Sequence, residues 1–150
     1  MKDYKIVALE DIPKATMLPD LNDMSELFTS MHEICECSDG IGLHAVQIGL
    51  PYDLFVAKLG QEFENFVSCK YVGEEEKIDS VEGCLSITEN GFPRLFKLKR
   101  YPKILLKGFK YLQNELVPIQ LEVEGFSAII LQHECDHGEG ILISNAGVPY

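Results

Sequence analysis

The segment A-I-I-L-Q-H-E-C-D-H-G-E-G, residues 128–140, constrains this chain more than any other stretch. A step of four along an α-helix closes slightly more than one turn, so His133 and His137 share a face and both imidazoles can reach one metal ion. Glu134 stands about 100° around the helix from His133, where it can flank such an ion but cannot overlie the rings. The order His-Glu-x-x-His is the helix pattern of zinc hydrolases, in which imidazoles hold the metal and the carboxylate takes a proton from water. Five residues also fit an ordinary helix with two polar side chains turned to solvent, and the pattern alone leaves both readings open.

The surrounding residues narrow the choice. E-G-F-S-A-I-I-L-Q-H-E-C-D-H-G-E-G predicts a helix from about Gly125 to His137, apolar through Phe126, Ala128, Ile129, Ile130 and Leu131, and hence buried at the centre of the domain. Burying two histidines and two acids costs on the order of several kcal/mol unless each has a strong partner. A metal ion is the simplest partner, and core hydrogen bonds are the alternative. Phe126, Ile129 and Ile130 lie at helical spacing near His133, either lining a pocket or forming plain core.

A catalytic site of this type takes three protein ligands and leaves one position for water. Residues 138–150 offer only Glu139, so the third ligand is sought upstream, among His32, His44, the cysteines and many acids. S-V-E-G-C-L-S-I, residues 80–87, is the most suggestive stretch: Cys84 follows a glycine that lets the backbone turn closely, and the Leu85 N–H lies beside it. A thiolate with two imidazoles suits zinc or ferrous iron.

Composition bounds the rest. A chain of 150 residues fits a single domain, 1–150, and can bury a real core. A net charge of -11 argues against nucleic acid as the main partner. The one basic stretch, Lys97, Lys99, Arg100, Lys103, Lys107 and Lys110, alternates with apolar residues and reads as the solvated face of strands. No apolar run is long enough to span a bilayer, and M-K-D-Y-K-I-V-A-L-E-D-I-P-K is no secretory signal, so the expected location is the cytoplasm. Five cysteines in a reducing compartment do not suggest a disulfide framework. A second metal site at Cys35, Cys37 and Cys69 is disfavoured, because residues two apart on a helix face differently. Cys135 reads as a small core residue.

Along the chain, residues 4–9 predict a short strand. Met24, Leu27, Phe28, Met31, Ile34 and Cys35 predict an amphipathic helix from Leu21 to about Ser38, with Asp20 or Asn22 as its N-cap. Residues 53–59 and 64–72 read as strands, and 73–77 as an exposed acidic loop. K-I-L-L-K-G-F-K-Y-L, then Q-N, then E-L-V-P-I-Q-L-E-V reads as a β-hairpin whose second arm, carrying Pro118, is an edge strand.

Three separated motifs carry a family resemblance: G-I-G-L-H-A-V-Q (40–47), E-G-C-L-S (82–86) and Q-H-E-C-D-H (132–137). In this order they resemble the peptide deformylases. The resemblance implies an α+β fold in which antiparallel sheets surround a central metal-binding helix. It also implies an enzyme that hydrolyses the N-formyl group from the starting methionine of new polypeptides and releases formate. Matched position by position, Cys84, His133 and His137 would hold the metal and Glu134 would move the proton. Gln47 and the Leu85 N–H would form the oxyanion site. Gly42 would pair with the substrate backbone, with Ile41, Glu82 and Gly83 beside it in the same motifs. Arg94 corresponds to an arginine often found after the second motif, in a supporting role. The apolar trio Phe126, Ile129 and Ile130 would hold the methionine side chain. The family's usual cofactor is one divalent ion, Fe2+, with Zn2+, Ni2+ or Co2+ substituting.

The chain departs from that pattern at several places. His44 stands where alanine is usual, so that its ring narrows the cleft, alters the pH dependence, or points outward. Gly138 replaces the usual leucine, which predicts an early helix end. Asp136 either orients a ligand histidine or caps local backbone. No basic C-terminal helix follows Gly140, so docking on the ribosome through such a helix is not expected, and any ribosome contact is transient. The compact form resembles organellar or viral members as much as bacterial ones, which extends the expected location to a host's cytoplasm for a viral member and to an organelle after processing for an organellar one. The expected partners are formyl-Met nascent peptides, with neither nucleic acid nor membrane, and the expected state is a monomer.

Overall fold

The computed structural model describes residues 3–150. In chain order they form α1 (Leu21–Cys37), β1 (Gly42–His44), β2 (Leu54–Lys58), β3 (Phe63–Glu74), β4 (Ile78–Glu82), β5 (Thr88–Glu89), β6 (Phe92–Pro93), β7 (Phe96–Arg100), β8 (Lys103–Leu112), β9 (Glu115–Glu124), α2 (Phe126–Gly138), α3 (Ile143–Ala146) and β10 (Val148–Pro149). Two antiparallel sheets dominate, one ordered β1-β2-β3-β8-β9 and a smaller one ordered β10-β7-β4; β5 and β6 form a separate hairpin. The architecture is α+β.

Strand β2 explains how the large sheet is packed. Successive side chains of a strand point to opposite faces, so a strand buried on both faces reads as a continuous apolar run. Leu54 and Val56 pack with Met24, Leu27, Phe28 and Met31 of α1, whereas Phe55 and Ala57 pack with Ala128, Ile130 and Leu131 of α2. The sheet therefore lies between the two helices, and α2 runs under β1, β2, β3 and β9. A third, smaller cluster of Cys84, Ile87, Phe96, Leu98 and Ile143 joins β7, α3 and the segment after β4.

The β8–β9 hairpin turns through Gln113 and Asn114, both in the left-handed region with φ of 48° and 66°. That is the two-residue turn whose twist matches the strands. Pro118 sits on β9, at the edge of its sheet, where a missing N–H costs nothing.

Three local expectations need correction. Residues 4–8 form no strand; Val7 N–H donates to Gln47 O at 2.9 Å, Tyr4 and Ile6 pack against the α1 core, and a short 3-10 turn follows at Leu9–Asp11. Apolar burial there is achieved without a pairing partner. The acidic segment is shorter than 73–77, because β3 continues to Glu74. Arg100 does not share the solvated face of its neighbours: the burial of β7 alternates, with Phe96, Leu98 and Arg100 inward and Lys97 and Lys99 outward.

Candidate active site and metal centre

Helix α2 delivers His133 and His137 one turn apart, with ring centroids 4.7 Å apart and nearly perpendicular. The segment that leaves β4 brings Cys84 to the same point, held by its bridge to Ile87. Cys84 Sγ lies 3.6 Å from His137 Nε2, and one ligand atom from each of Cys84, His133 and His137 falls within 4.8 Å of the others. Metal–sulfur and metal–nitrogen bonds of about 2.3 and 2.0–2.1 Å at a tetrahedral angle separate sulfur from nitrogen by about 3.6 Å. The donor set thus fits one divalent cation. Among the described residues this is the one such cluster, and Cys35, Cys37 and Cys69 form none.

A charged network stands behind His133. Its Nδ1 donates to Glu82 Oε1 at 2.8 Å, which leaves Nε2 as the nitrogen for the centre. Arg100 grips the same carboxylate twice, through Nε and Nη2 at 2.9 Å each, and Ser80 Oγ donates to it at 2.7 Å. The third arm of Arg100 reaches Asp136 Oδ2 at 2.6 Å, and Tyr71 donates to Asp136 Oδ1 at 2.8 Å. Asp136 therefore neither holds a histidine nor caps backbone; it anchors Arg100, while Glu82 orients His133. Burial opposes the charge on Glu82, but His133 and Arg100 outweigh it and hold this carboxyl down at about 2. Burial likewise opposes the charge on His133, yet Cys84, Glu82 and Glu134 raise it to about 10. For His137, burial and then the neighbouring His133 push it well below the usual histidine range.

Glu134 occupies the other side of the centre. It is buried, Oε1 has no protein partner, and burial raises its pKa to about 7. A carboxyl poised there can exchange a proton near neutral pH. Gly42 faces it so closely that a Cβ on residue 42 would collide with the Glu134 carboxylate. The Gln47 amide is set by three contacts: Oε1 accepts from His44 N–H at 2.8 Å, and Nε2 points to Ser86 Oγ at 2.9 Å and Cys84 Sγ at 3.5 Å.

A cavity of about 400 Å³ opens over these groups. Ile41, Gly42 and Gln47 line one side, and Glu82, Gly83, Cys84 and Leu85 the other. Phe126, Ile129 and Ile130 close it along α2, with His133 and Glu134 at the floor. Phe126 is two-thirds exposed at the rim, whereas Ile130 is also part of the α2 core. His137 lies behind the floor, fully buried. Arg94 is not part of the lining; its guanidinium sits over the Phe96 ring at 5.6 Å and near Glu89 at 3.9 Å. His44 neither narrows the cleft nor points outward: it is completely buried, away from the lining, and burial lowers its pKa.

Sequence reasoning missed Arg100, Ser86 and Tyr71. For Arg100 the signal existed, because F-K-L-K-R puts the arginine in phase with inward-facing Phe96 and Leu98. Ser86 closes the E-G-C-L-S motif, which gives it no role of its own, and nothing local marks Tyr71.

The polypeptide deformylase family model matches residues 8–148. A peptide deformylase of Fusobacterium nucleatum is 34% identical over 149 residues, spanning 95% of this chain and 79% of that protein. The crystal structure of peptide deformylase from Thermotoga maritima is similar with a TM-score of 0.85 at 25% identity, covering 99% of this chain and 100% of that one. That of a probable peptide deformylase from synechococcus phage S-SSM7 gives 0.83 at 28% identity, covering 96% and 99%.

Proposed function

The chain belongs to the polypeptide deformylase family, and from that premise we infer how its own residues carry out deformylation. It hydrolyses the N-formyl group from the starting methionine of newly made polypeptides and releases formate. The observation that carries the reading is the convergence of Cys84 Sγ with the His133 and His137 rings beside buried Glu134, on the floor of an apolar cavity.

Cys84, His133 and His137 would hold one divalent cation. When bound, it supplies Lewis acidity that makes water a nucleophile near neutral pH and polarises the formyl carbonyl. Glu134 takes the proton from the attacking water and passes it to the leaving amine as the formyl C–N bond breaks. Charge that develops on the formyl oxygen is met by Gln47 Nε2 and the Leu85 N–H; losing one such donor typically costs roughly 3 kcal/mol of transition-state stabilisation. The Gly42 backbone aligns the peptide, with Ile41, Glu82 and Gly83 around it, and Arg94, outside the lining, acts only through its contacts with Phe96 and Glu89. Phe126, Ile129 and Ile130 receive the methionine side chain, which their apolar surface suits.

The family is metal-dependent; for the native ion we propose Fe2+, with Zn2+, Ni2+ or Co2+ able to replace it. Residues 1–150 act as one catalytic domain, as a monomer in the cytoplasm, with at most transient ribosome contact. No helix among the described residues is long and apolar enough to cross a membrane.

The test is a paired assay on metal-replete protein. Formyl-Met-Ala-Ser should be hydrolysed and acetyl-Met-Ala-Ser left intact, whereas hydrolysis of neither overturns the reading. Glu134→Gln should keep its metal and lose activity; a fully active variant removes Glu134 from the mechanism. Anaerobic metal analysis of freshly isolated protein should find iron, and another dominant ion overturns that assignment.

A further inference from the structure

His44 and Gly138 meet across the join between β1 and the end of α2. A Cβ on residue 138 would lie 3.0 Å from His44 Nε2 and 3.0 Å from Asp53 Oδ1, so tight that a neighbour must give by a few tenths of an ångström. The His44 ring fills that space, stacked on Phe55 with centroids 6.0 Å apart, and its Nε2 is 3.7 Å from Asp53 Oδ1. No part of the residue reaches solvent.

The other edge of the ring faces the 3-10 turn Ala45–Ile48, which carries Gln47. His44 Nδ1 accepts from Val46 N–H at 3.2 Å, so the ring proton sits on Nε2, consistent with a histidine that burial keeps neutral. The His44 N–H donates to Gln47 Oε1 at 2.8 Å, which decides the orientation of the amide. With Oε1 committed there, only the NH2 end can point to Cys84 and Ser86. The main-chain N–H of residue 44 thus holds the amide while the His44 ring holds the turn that carries it, and that ring is seated by a slot at the last residue of α2.

We propose that His44 is a positioning residue for Gln47, wedged into a slot that glycine at position 138 leaves open. This rests on the reading that Gln47 Nε2 donates to the developing oxyanion. The histidine does not touch substrate; it acts through the turn it caps. Because Gly138 directly follows His137, the same wedge ties the metal helix to the strip that carries Gln47.

The slot is tested by reversing a sign. Gly to Ala in a helix ordinarily stabilises, by up to about 2–4 °C in melting temperature for an interior position in a chain of this size and by less at a helix end such as residue 138. Gly138→Ala should lower the melting temperature of the metal-loaded protein and raise it in the His44→Ala background, where the one remaining close neighbour, the partly exposed Asp53 carboxylate, can turn aside. The same change in both backgrounds overturns the slot. The positioning is tested by kinetics on formyl-Met-Ala-Ser. His44→Asn keeps an acceptor for Val46 N–H and should hold kcat within about twofold, whereas His44→Leu fills the space without an acceptor and should lower kcat about tenfold with KM and metal content little changed. Equal losses in the two variants overturn the positioning role. Gln47→Ala run alongside separates the two readings: full activity there removes Gln47 from the oxyanion site and the kinetic half of the proposal with it, while the melting-temperature reversal still reports on the slot.

Discussion

His133 Nδ1 and Glu82 Oε1 are 2.8 Å apart, so the imidazole that faces Cys84 is held from behind by a carboxylate belonging to the same motif as the cysteine. A hydrogen bond to the far nitrogen fixes the tautomer and the plane of a ligand histidine, and such partners typically contribute 10–100-fold to metal affinity. Here the carboxylate is itself clamped by Arg100, which also ties Asp136. One cation thus aligns β4, β7 and α2 around the centre.

Arg100→Met should expose the cost of that arrangement. Removing one partner of a buried ion pair leaves an uncompensated charge and costs about 3–5 kcal/mol. Both Glu82 and Arg100 are almost fully buried, so solvent does not screen the loss. The variant should unfold at lower urea and bind its metal on the order of 10–100-fold more weakly, as read by competition with a chelator. Unchanged metal affinity would detach Arg100 from the centre.

Gly42→Ala should separate space from backbone freedom. The new Cβ would strike the Glu134 carboxylate, with Glu134 Cδ at 3.0 Å, and must push it away from the centre. A displacement near 1 Å at a reacting group typically costs about 100-fold. The expected result is a fall in kcat of that order with metal content retained. Parental kcat would show that the Glu134 carboxylate need not occupy its present place.

Gln113→Asn should stabilise the chain by up to about 1 kcal/mol, because Asn adopts the left-handed region at the first central position of such a turn at lower cost than Gln. The change belongs at residue 113 and not at 114, since Asn114 Oδ1 accepts from Tyr111 OH at 2.8 Å. A higher urea midpoint at unchanged m-value is the measurement. A lower midpoint would mean that the Gln113 side chain makes a contact worth more than the backbone strain.

What could be read from the residues follows the range of the interactions. The faces of α1 and α2 and the β8–β9 hairpin rest on contacts within one element or between neighbours, and apolar spacing and turn chemistry reveal them. The pairing of β4 with β7 was not legible: its inward positions on β4 are Ser80 and Glu82, which disguise a buried strand as a polar loop. The same polar residues build the network behind His133, so the strand was hidden by the groups the site requires. Cys84 lies 49 positions before His133, and no local rule brings it to α2. Residue chemistry made Cys84 the most suggestive of several upstream candidates, and the joint occurrence of three motifs, a matter of resemblance, singled it out. His44 and Gly138 each look like an isolated irregularity in the sequence, and their relation exists only in three dimensions.

Thiol labelling should report the metal directly. Cys37 is exposed, while Cys35, Cys69, Cys84 and Cys135 are buried. Thiolate is the reactive form, and burial pushes Cys35 up to about 12 and Cys69 up to about 11; burial also places Cys135 well above the usual thiol range. At pH 8 the Cys69 thiolate fraction is then about one in a thousand. Metal-loaded protein should take one alkyl group, at Cys37. Cys84 differs from the other buried thiols because it lines the cavity. Removing the metal with a chelator frees its sulfur, and peptide mapping should then find a second label at Cys84, with Cys35, Cys69 and Cys135 modified only after unfolding. Reloading zinc before alkylation should restore protection. Labelling of Cys84 at the same rate with and without metal would show that its sulfur is not a ligand, and the three-residue centre would then lose its anchor outside α2.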